Sequence, residues 1–209
     1  MIVSHIKTIF VFIWLILFSS TLIWSSIQPS DRLTWLLEVL PAIIAVLVLA
    51  YTYRPFPLTP LSYALILCHC IILMIGGHYT YAEVPLFNDL AHALNSTRNN
   101  YDKLGHFVQG FVPALVAREV FIRLKVVKNS RWMTVFIICF CLAFSAFYEL
   151  IEWWVALLAD SNAQAFLGTQ GDIWDTQSDM AWALIGAISA LVLLSRIHDQ
   201  QLSSLNRKT

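Results

Sequence analysis

Charge is what this chain lacks. Asp, Glu, Lys and Arg make up 12% of its 209 residues, and 13 basic residues balance 13 acidic ones. Net charge therefore points to no polyanionic partner. No basic cluster with interleaved aromatics is present either, so no nucleic-acid ligand is expected. Low-complexity stretches and convincing internal repeats are missing too. The two halves of the chain do not look alike, which argues against an inverted-repeat transporter. Cysteine is scarce, and Cys68, Cys70, Cys139 and Cys141 all fall in apolar runs. Residues two apart on a helix point to nearly opposite sides. Neither pair therefore makes a CxxC-type centre, and all four read as small buried apolar residues.

Apolar residues fill the chain instead. They account for 58% of it, with a mean hydropathy of +0.69, against about 45–50% apolar in soluble domains. Crossing a bilayer takes about 20 mostly apolar residues as a helix, the form that pairs every backbone group internally. Six such spans are read: Ile6–Trp24, Leu33–Tyr51, Leu58–Gly76, Leu104–Leu124, Thr134–Leu158 and Ser178–Ile197. The fourth is the least apolar. The first is read as a retained helix rather than a signal peptide, because its leading charge is weak (His5, Lys7) and no small-x-small cleavage pattern follows. The expectation is an all-α polytopic membrane helix bundle, residues 1–209 forming a single integral-membrane domain.

Orientation follows from Lys and Arg in the short loops. Arg123, Lys125, Lys128 and Arg131 follow the fourth span, and Arg196, Arg207 and Lys208 close the chain. Residues 159–177 carry no Lys or Arg but hold Asp160, Asp172 and Asp175. Both termini are therefore expected in the cytoplasm, with segments 77–103 and 159–177 outside.

In this orientation the intramembrane ionisable residues gather toward the outer face, where such groups are costly and default to an inward-facing functional site. His106 and Gln109 are three apart, as are Glu149 and Glu152, while Asp175 and Asp179 are four apart. Each pair shares a helix face, so three helices can turn polar faces to one pocket. Carboxylates with an imidazole suit Zn²⁺ or Mn²⁺, and carboxylates alone suit Mg²⁺. Structural readings stand beside these. Thr176 with Asp179 reads as a capping box, Glu152 can be interfacial next to Trp153 and Trp154, and Glu38 and His69 read as structural. Glu119 and Arg123, four apart near the inner face, read as a local ion pair. His78 and His92 read as surface histidines.

Three motifs carry a resemblance: Tyr101-Asp102-Lys103-x-x-His106-Phe107, Glu149-x-x-Glu152-Trp153, and Gly168-Thr169-Gln170-Gly171-Asp172-x-Trp174-Asp175-x-Gln177-x-Asp179-Met180. Together they resemble the YjdF-type bacterial inner membrane proteins over essentially the whole chain. That family is a domain of unknown function, and the resemblance implies a multi-pass protein of the bacterial inner membrane. A weaker resemblance is to the VanZ-like membrane proteins, through Asp102, Lys103, His106, Phe107, Glu149 and Asp179. Ala183 stands where that outline carries a polar Asn.

The leading functional expectation is a metal-assisted site for a lipid or envelope-precursor headgroup. His106, Glu149 and Asp179 would ligate a divalent metal (Zn, Mn or Mg), with Glu152 or Asp175 as catalytic base. Arg98 and Lys103 would meet an anionic phosphate, and Gln109, Gln170, Asp172 and Gln177 would line the headgroup pocket. Two rival readings are a small proton-coupled carrier using Glu149, His106 and Glu38, and a non-catalytic envelope protein whose polar groups specify packing. Separation of His106, Glu149 and Asp179 by more than about 10 Å would sink the single-site reading, since metal–ligand bonds are about 2.0–2.6 Å.

Overall fold

The computed structural model describes residues 2–158 and 169–206. Asp160 and Gly168, and the tail residues Arg207 and Lys208, lie outside them. The described residues form seven helices and no strand: α1 (Ile2–Ser26), α2 (Arg32–Thr52), α3 (Pro60–Tyr79), α4 (Pro85–Ala93), α5 (Tyr101–Arg123), α6 (Ser130–Leu158) and α7 (Asp175–Asn206). Five segments are long and apolar enough to cross a membrane: Thr8–Ser26, Arg32–Thr52, Pro60–Tyr79, Arg131–Leu158 and Asp175–Leu205. These fall in α1, α2, α3, α6 and α7. The fourth expected span, Leu104–Leu124, falls on α5, whose polar residues, among them His106, Gln109, Arg118, Glu119 and Arg123, keep it out of this group. Its 23 residues reach about 34 Å at 1.5 Å per residue, close to the hydrocarbon thickness. α4 belongs to the segment expected to be an external connection.

Local chemistry sets the helix ends. Asp31 caps α2 by accepting the Thr34 N–H at 2.7 Å. Thr59 caps α3 ahead of Pro60, whose missing N–H costs nothing at a first helical position. Thr80 closes α3 in the left-handed region at φ 57°. Pro41 and Pro113 lie inside α2 and α5, a placement that packed membrane helices tolerate.

Two apolar cores hold the bundle. Trp14, Phe18, Val39, Ala42, Leu67, Cys70 and Met74 join α1, α2 and α3. Ala114, Leu115, Ala117, Ile137, Cys141, Ala187 and Ala190 join α5, α6 and α7. The second is rich in alanine because α5 and α7 run backbone to backbone. A Cβ on Gly110 would collide with the Ala183 carbonyl, and one on Gly186 with the Phe107 carbonyl. Small residues at such crossings let membrane helices approach closely. Ala183 is fully buried at this contact, so packing accounts for Ala where the VanZ-like outline carries Asn. Leu47, Val192 and Leu193 are each more than 60% exposed, an apolar exterior that suits lipid. The cysteines split: Cys70 and Cys141 are buried, whereas Cys68 and Cys139 point outward. The expectation of four buried thiols is corrected on this point, since positions two apart cannot share a core-facing side.

Two polar clusters mark opposite ends of the bundle. At one end Glu119, fully buried, accepts hydrogen bonds from Thr59 N (2.9 Å), Thr59 Oγ1 (2.9 Å), Ser62 Oγ (2.8 Å) and Arg123 Nη1 (3.0 Å). His198 Nε2 on α7 lies 3.2 Å from it. The expected Glu119–Arg123 pair is present, and the carboxylate also ties α5 to α3 and α7. The other end holds the remaining buried acids.

Candidate functional site

α5 supplies the centre. Asp102, His106 and Gln109 lie one turn apart on the face that α5 turns toward α6 and α7. His106 is 6% exposed, and its two ring nitrogens have different company. Nδ1 is 3.1 Å from Gln109 Oε1, so this nitrogen donates to the amide oxygen. Nε2 faces carboxylates, 3.4 Å from Asp102 Oδ1 and 3.9 Å from Asp179 Oδ2. Glu149 Oε1 approaches Nδ1 at 3.8 Å. The faces of α5, α6 and α7 thus converge, with His106 within 4 Å of both Glu149 and Asp179.

These separations exceed those of good hydrogen bonds, about 2.7–3.2 Å. They resemble the edges of a coordination polyhedron, because two ligands about 2.1 Å from one ion at a tetrahedral angle stand about 3.4 Å apart. One ligand atom each from Asp102, His106 and Asp179 lies within 4.8 Å of the others, and all three residues are buried. Three carboxylate oxygens here, Asp102 Oδ2, Glu149 Oε1 and Asp179 Oδ1, have no hydrogen-bond partner. Buried acceptors are rarely left so. The side chains of Asp179 and Glu149 are only 3% and 6% exposed.

Acidic side chains also outnumber basic ones here. Glu38, Asp102, Glu149, Glu152, Asp175 and Asp179 are all buried at this end. Arg98 serves one side of the group, bonding Asp175, reaching Asp172 Oδ2 at 3.3 Å and standing 3.9 Å from Asp102. Among the described residues, His106 is the basic side chain within 4 Å of both Glu149 and Asp179. Glu152, one turn beyond Glu149 on α6, is buried at the same end.

The other expected site residues surround this group. Lys103 Nζ donates to Ser178 Oγ at 2.7 Å. Gln170 makes a two-bond clasp with the Asn99 backbone, accepting from N at 2.9 Å and donating to O at 2.8 Å. Asp172 also accepts the Trp174 N–H. Gln177 is exposed on the first turn of α7. That helix begins at Asp175, so Thr176 stands inside it rather than at the cap, and the capping-box reading of Asp179 is corrected. His78 is engaged elsewhere, 3.0 Å from Ser25 O and with its ring tilted against Trp24.

Sequence reasoning left Asp102 out of the ligand set and did not foresee that Glu38 and Tyr148 stand beside it. Asp102 was legible at four residues before His106. Glu38, on α2, accepts from Tyr148 OH at 3.1 Å, and the Tyr148 ring stands edge-on to His106 at 6.4 Å. Sequence depth placed Glu38 at this end, but its bond to Tyr148 is tertiary and was not legible.

Comparison with known proteins agrees with this architecture. No solved structure matches the chain. "Inner membrane protein YjdF" of Escherichia coli (strain K12) is 54% identical over 181 residues, covering 87% of each chain. The family profile described as "Predicted membrane protein (DUF2238)" matches residues 10–200. The chain is a multi-pass membrane protein of the DUF2238 family.

Proposed function

We propose that the polar cluster is a divalent-cation centre that binds, and acts on, the phosphate-bearing headgroup of a lipid or envelope precursor. One observation carries the reading: buried Asp102, His106 and Asp179 offer ligand atoms within 4.8 Å of one another, beside carboxylate oxygens that have no hydrogen-bond partner. Glu149, whose Oε1 lies 3.8 Å from His106 Nδ1 and outside that group of three, is the fourth candidate ligand. An imidazole among carboxylates suits Zn²⁺ or Mn²⁺ better than Mg²⁺. The Gln109 contact supports ligation through Nε2, since a proton fixed on Nδ1 leaves the Nε2 lone pair toward the acids.

The surrounding residues take distinct roles. Glu152 is the base, near the ligands but outside the set of three. Asp175, engaged by Arg98, holds the segment that precedes α7 rather than taking a proton. Lys103, on the first turn of α5, meets the phosphate. A bound ion would contribute Lewis acidity and would favour the ionised form of the buried acids. In this reading the protein sits in the bacterial inner membrane with six crossings, α5 included. Both termini are cytoplasmic and the cluster faces the outer leaflet. The carrier reading gains no support, because the apolar layer from Ala114 to Ala190 separates the cluster from Glu119 and no polar chain crosses it among the described residues.

The test is metal content of the purified protein beside Glu149→Gln, His106→Ala and Asp179→Asn. Near-stoichiometric Zn or Mn in the parent, lost in the folded variants, is the expected result and opens a screen of lipid-phosphate substrates. A folded parent that takes up no metal when supplied with it would overturn the centre and leave a packing role.

A further inference from the structure

α4 does not have the character of a connecting loop. It has nine residues, too few to cross a membrane, and short helices need tertiary support. At 100° per residue its side chains fall into three sectors. Phe87, Asn88 and Ala91 face the protein. Ala91 is buried, and the Phe87 ring stands edge-on to Tyr101 at 5.1 Å. Leu86, Leu90 and the C-cap residue Leu94, spaced by four, form a second stripe and are 72%, 49% and 67% exposed. Asp89 and His92 form the third sector, also exposed.

We infer that α4 is an in-plane helix seated in the leaflet at the cluster end, with Leu86, Leu90 and Leu94 in the acyl boundary and Asp89 and His92 in water. Its height in the bundle selects this occupant. α4 lies between the end of α3 at Tyr79 and the start of α5 at Tyr101, where a membrane-spanning bundle meets the interface. A helix with separate protein, apolar and polar sectors matches a surface that is part lipid and part water. The polar sector lacks a row of cations, so burial of the leucines rather than attraction to anionic lipid provides the hold.

Hydrogen bonds join this helix to the mouth of the polar cluster. Asn99 Nδ2 donates to Asn88 Oδ1 at 2.6 Å and to Val84 O at 3.0 Å. The Asn99 backbone is held by Gln170. The neighbouring Arg98 bonds Thr169 O and Asp175. The seat of α4 in the leaflet thereby fixes the height at which the cluster opens, beside lipid headgroups rather than bulk water. The inference does not depend on a metal being bound.

The test places an environment-sensitive fluorophore on single cysteines at Leu86, Leu90, Leu94, Asp89 and His92. The background is Cys68→Ala/Cys139→Ala, which retains the buried Cys70 and Cys141. Each variant is reconstituted in phosphatidylcholine vesicles, with and without phosphatidylglycerol. Expected is strong quenching by nitroxide-labelled lipid and protection from iodide at 86, 90 and 94, with the reverse at 89 and 92, in both lipids. Iodide access at the leucine positions would overturn the inference by lifting α4 off the membrane. Protection from both quenchers would overturn it by showing a protein cover such as a second copy. A pattern seen only with phosphatidylglycerol would overturn the apolar seating.

Discussion

Gln109 gives the sharpest test of the proposed centre because it touches the imidazole without belonging to the ligand set. Its Oε1 lies 3.1 Å from His106 Nδ1. Gln109→Leu preserves approximate volume in a buried site but removes the acceptor that fixes the tautomer. Freed, the ring can carry its proton on Nε2, the nitrogen that faces Asp102 and Asp179 at 3.4 and 3.9 Å. Loss of such a supporting contact costs about 10–100-fold in metal affinity, or about 1.4–2.7 kcal/mol. His106→Ala, which removes the ligand itself, should cost more. Gln109→Glu offers a carboxylate acceptor and should keep affinity within about tenfold of the parent or improve it. The assay is competition of Zn²⁺ or Mn²⁺ against a chromophoric chelator, with folding checked by circular dichroism. Unchanged affinity in folded Gln109→Leu would refute ligation through an Nε2 set by Gln109.

Other outcomes follow from the rest of the molecule. Glu119→Ala leaves Thr59, Ser62, Arg123 and His198 without their shared acceptor. It should destabilise the bundle by about 3–5 kcal/mol in denaturant unfolding, while any surviving folded protein keeps the parent's metal content. Gly110→Val drives a side chain into the Ala183 carbonyl. It should cost at least about 1–3 kcal/mol, read as a lowered Tm in detergent. Asp31 lies outside the spans, and the Thr34 N–H it accepts holds its carboxyl below the usual value of 3.8. A depressed folded pKa gives stability that is fully present above the unfolded value and lost as pH falls through the folded one. Tm should therefore drop below about pH 4 more steeply in the parent than in Asp31→Asn. At neutral pH, Asp31→Ala should cost about 0.5–2 kcal/mol as a lost cap.

The crossings were legible because lipid demands one thing of each segment: enough consecutive apolar residues in helical form. That rule found α1, α2, α3, α6 and α7. It also flagged α5 as the weakest span, and for a physical reason. α5 is surrounded by α3, α6 and α7, so its side chains answer to neighbours rather than to lipid, and it can hold Asp102, His106 and Glu119 where a lipid-facing helix cannot. α4 escaped notice because nine residues carry too little hydrophobic signal to separate a surface helix from a loop. Its three-way character emerges only once Phe87 is seen against Tyr101 and Asn88 against Asn99.

For the site, spacing within a helix was informative and spacing between helices was not. The pairs 106/109, 149/152 and 175/179 each declared a shared face, and the fold turns those faces inward at one end. Which carboxylate meets which nitrogen depends on how closely the helices approach, and Gly110, Ala183 and Gly186 set that approach between α5 and α7. With backbones in contact there, the Asp179 carboxylate reaches Nε2 of His106 without an extended side chain. A larger residue at 110 would widen the gap, and the short Asp102 and Asp179 side chains have no spare methylene to span it. The same reasoning distinguishes the two polar ends. Glu119 is met by donors from three elements, so its charge is satisfied by the protein itself. At the other end Asp179 and Glu149 face other acids across one imidazole, and the proposed cation would answer that arrangement.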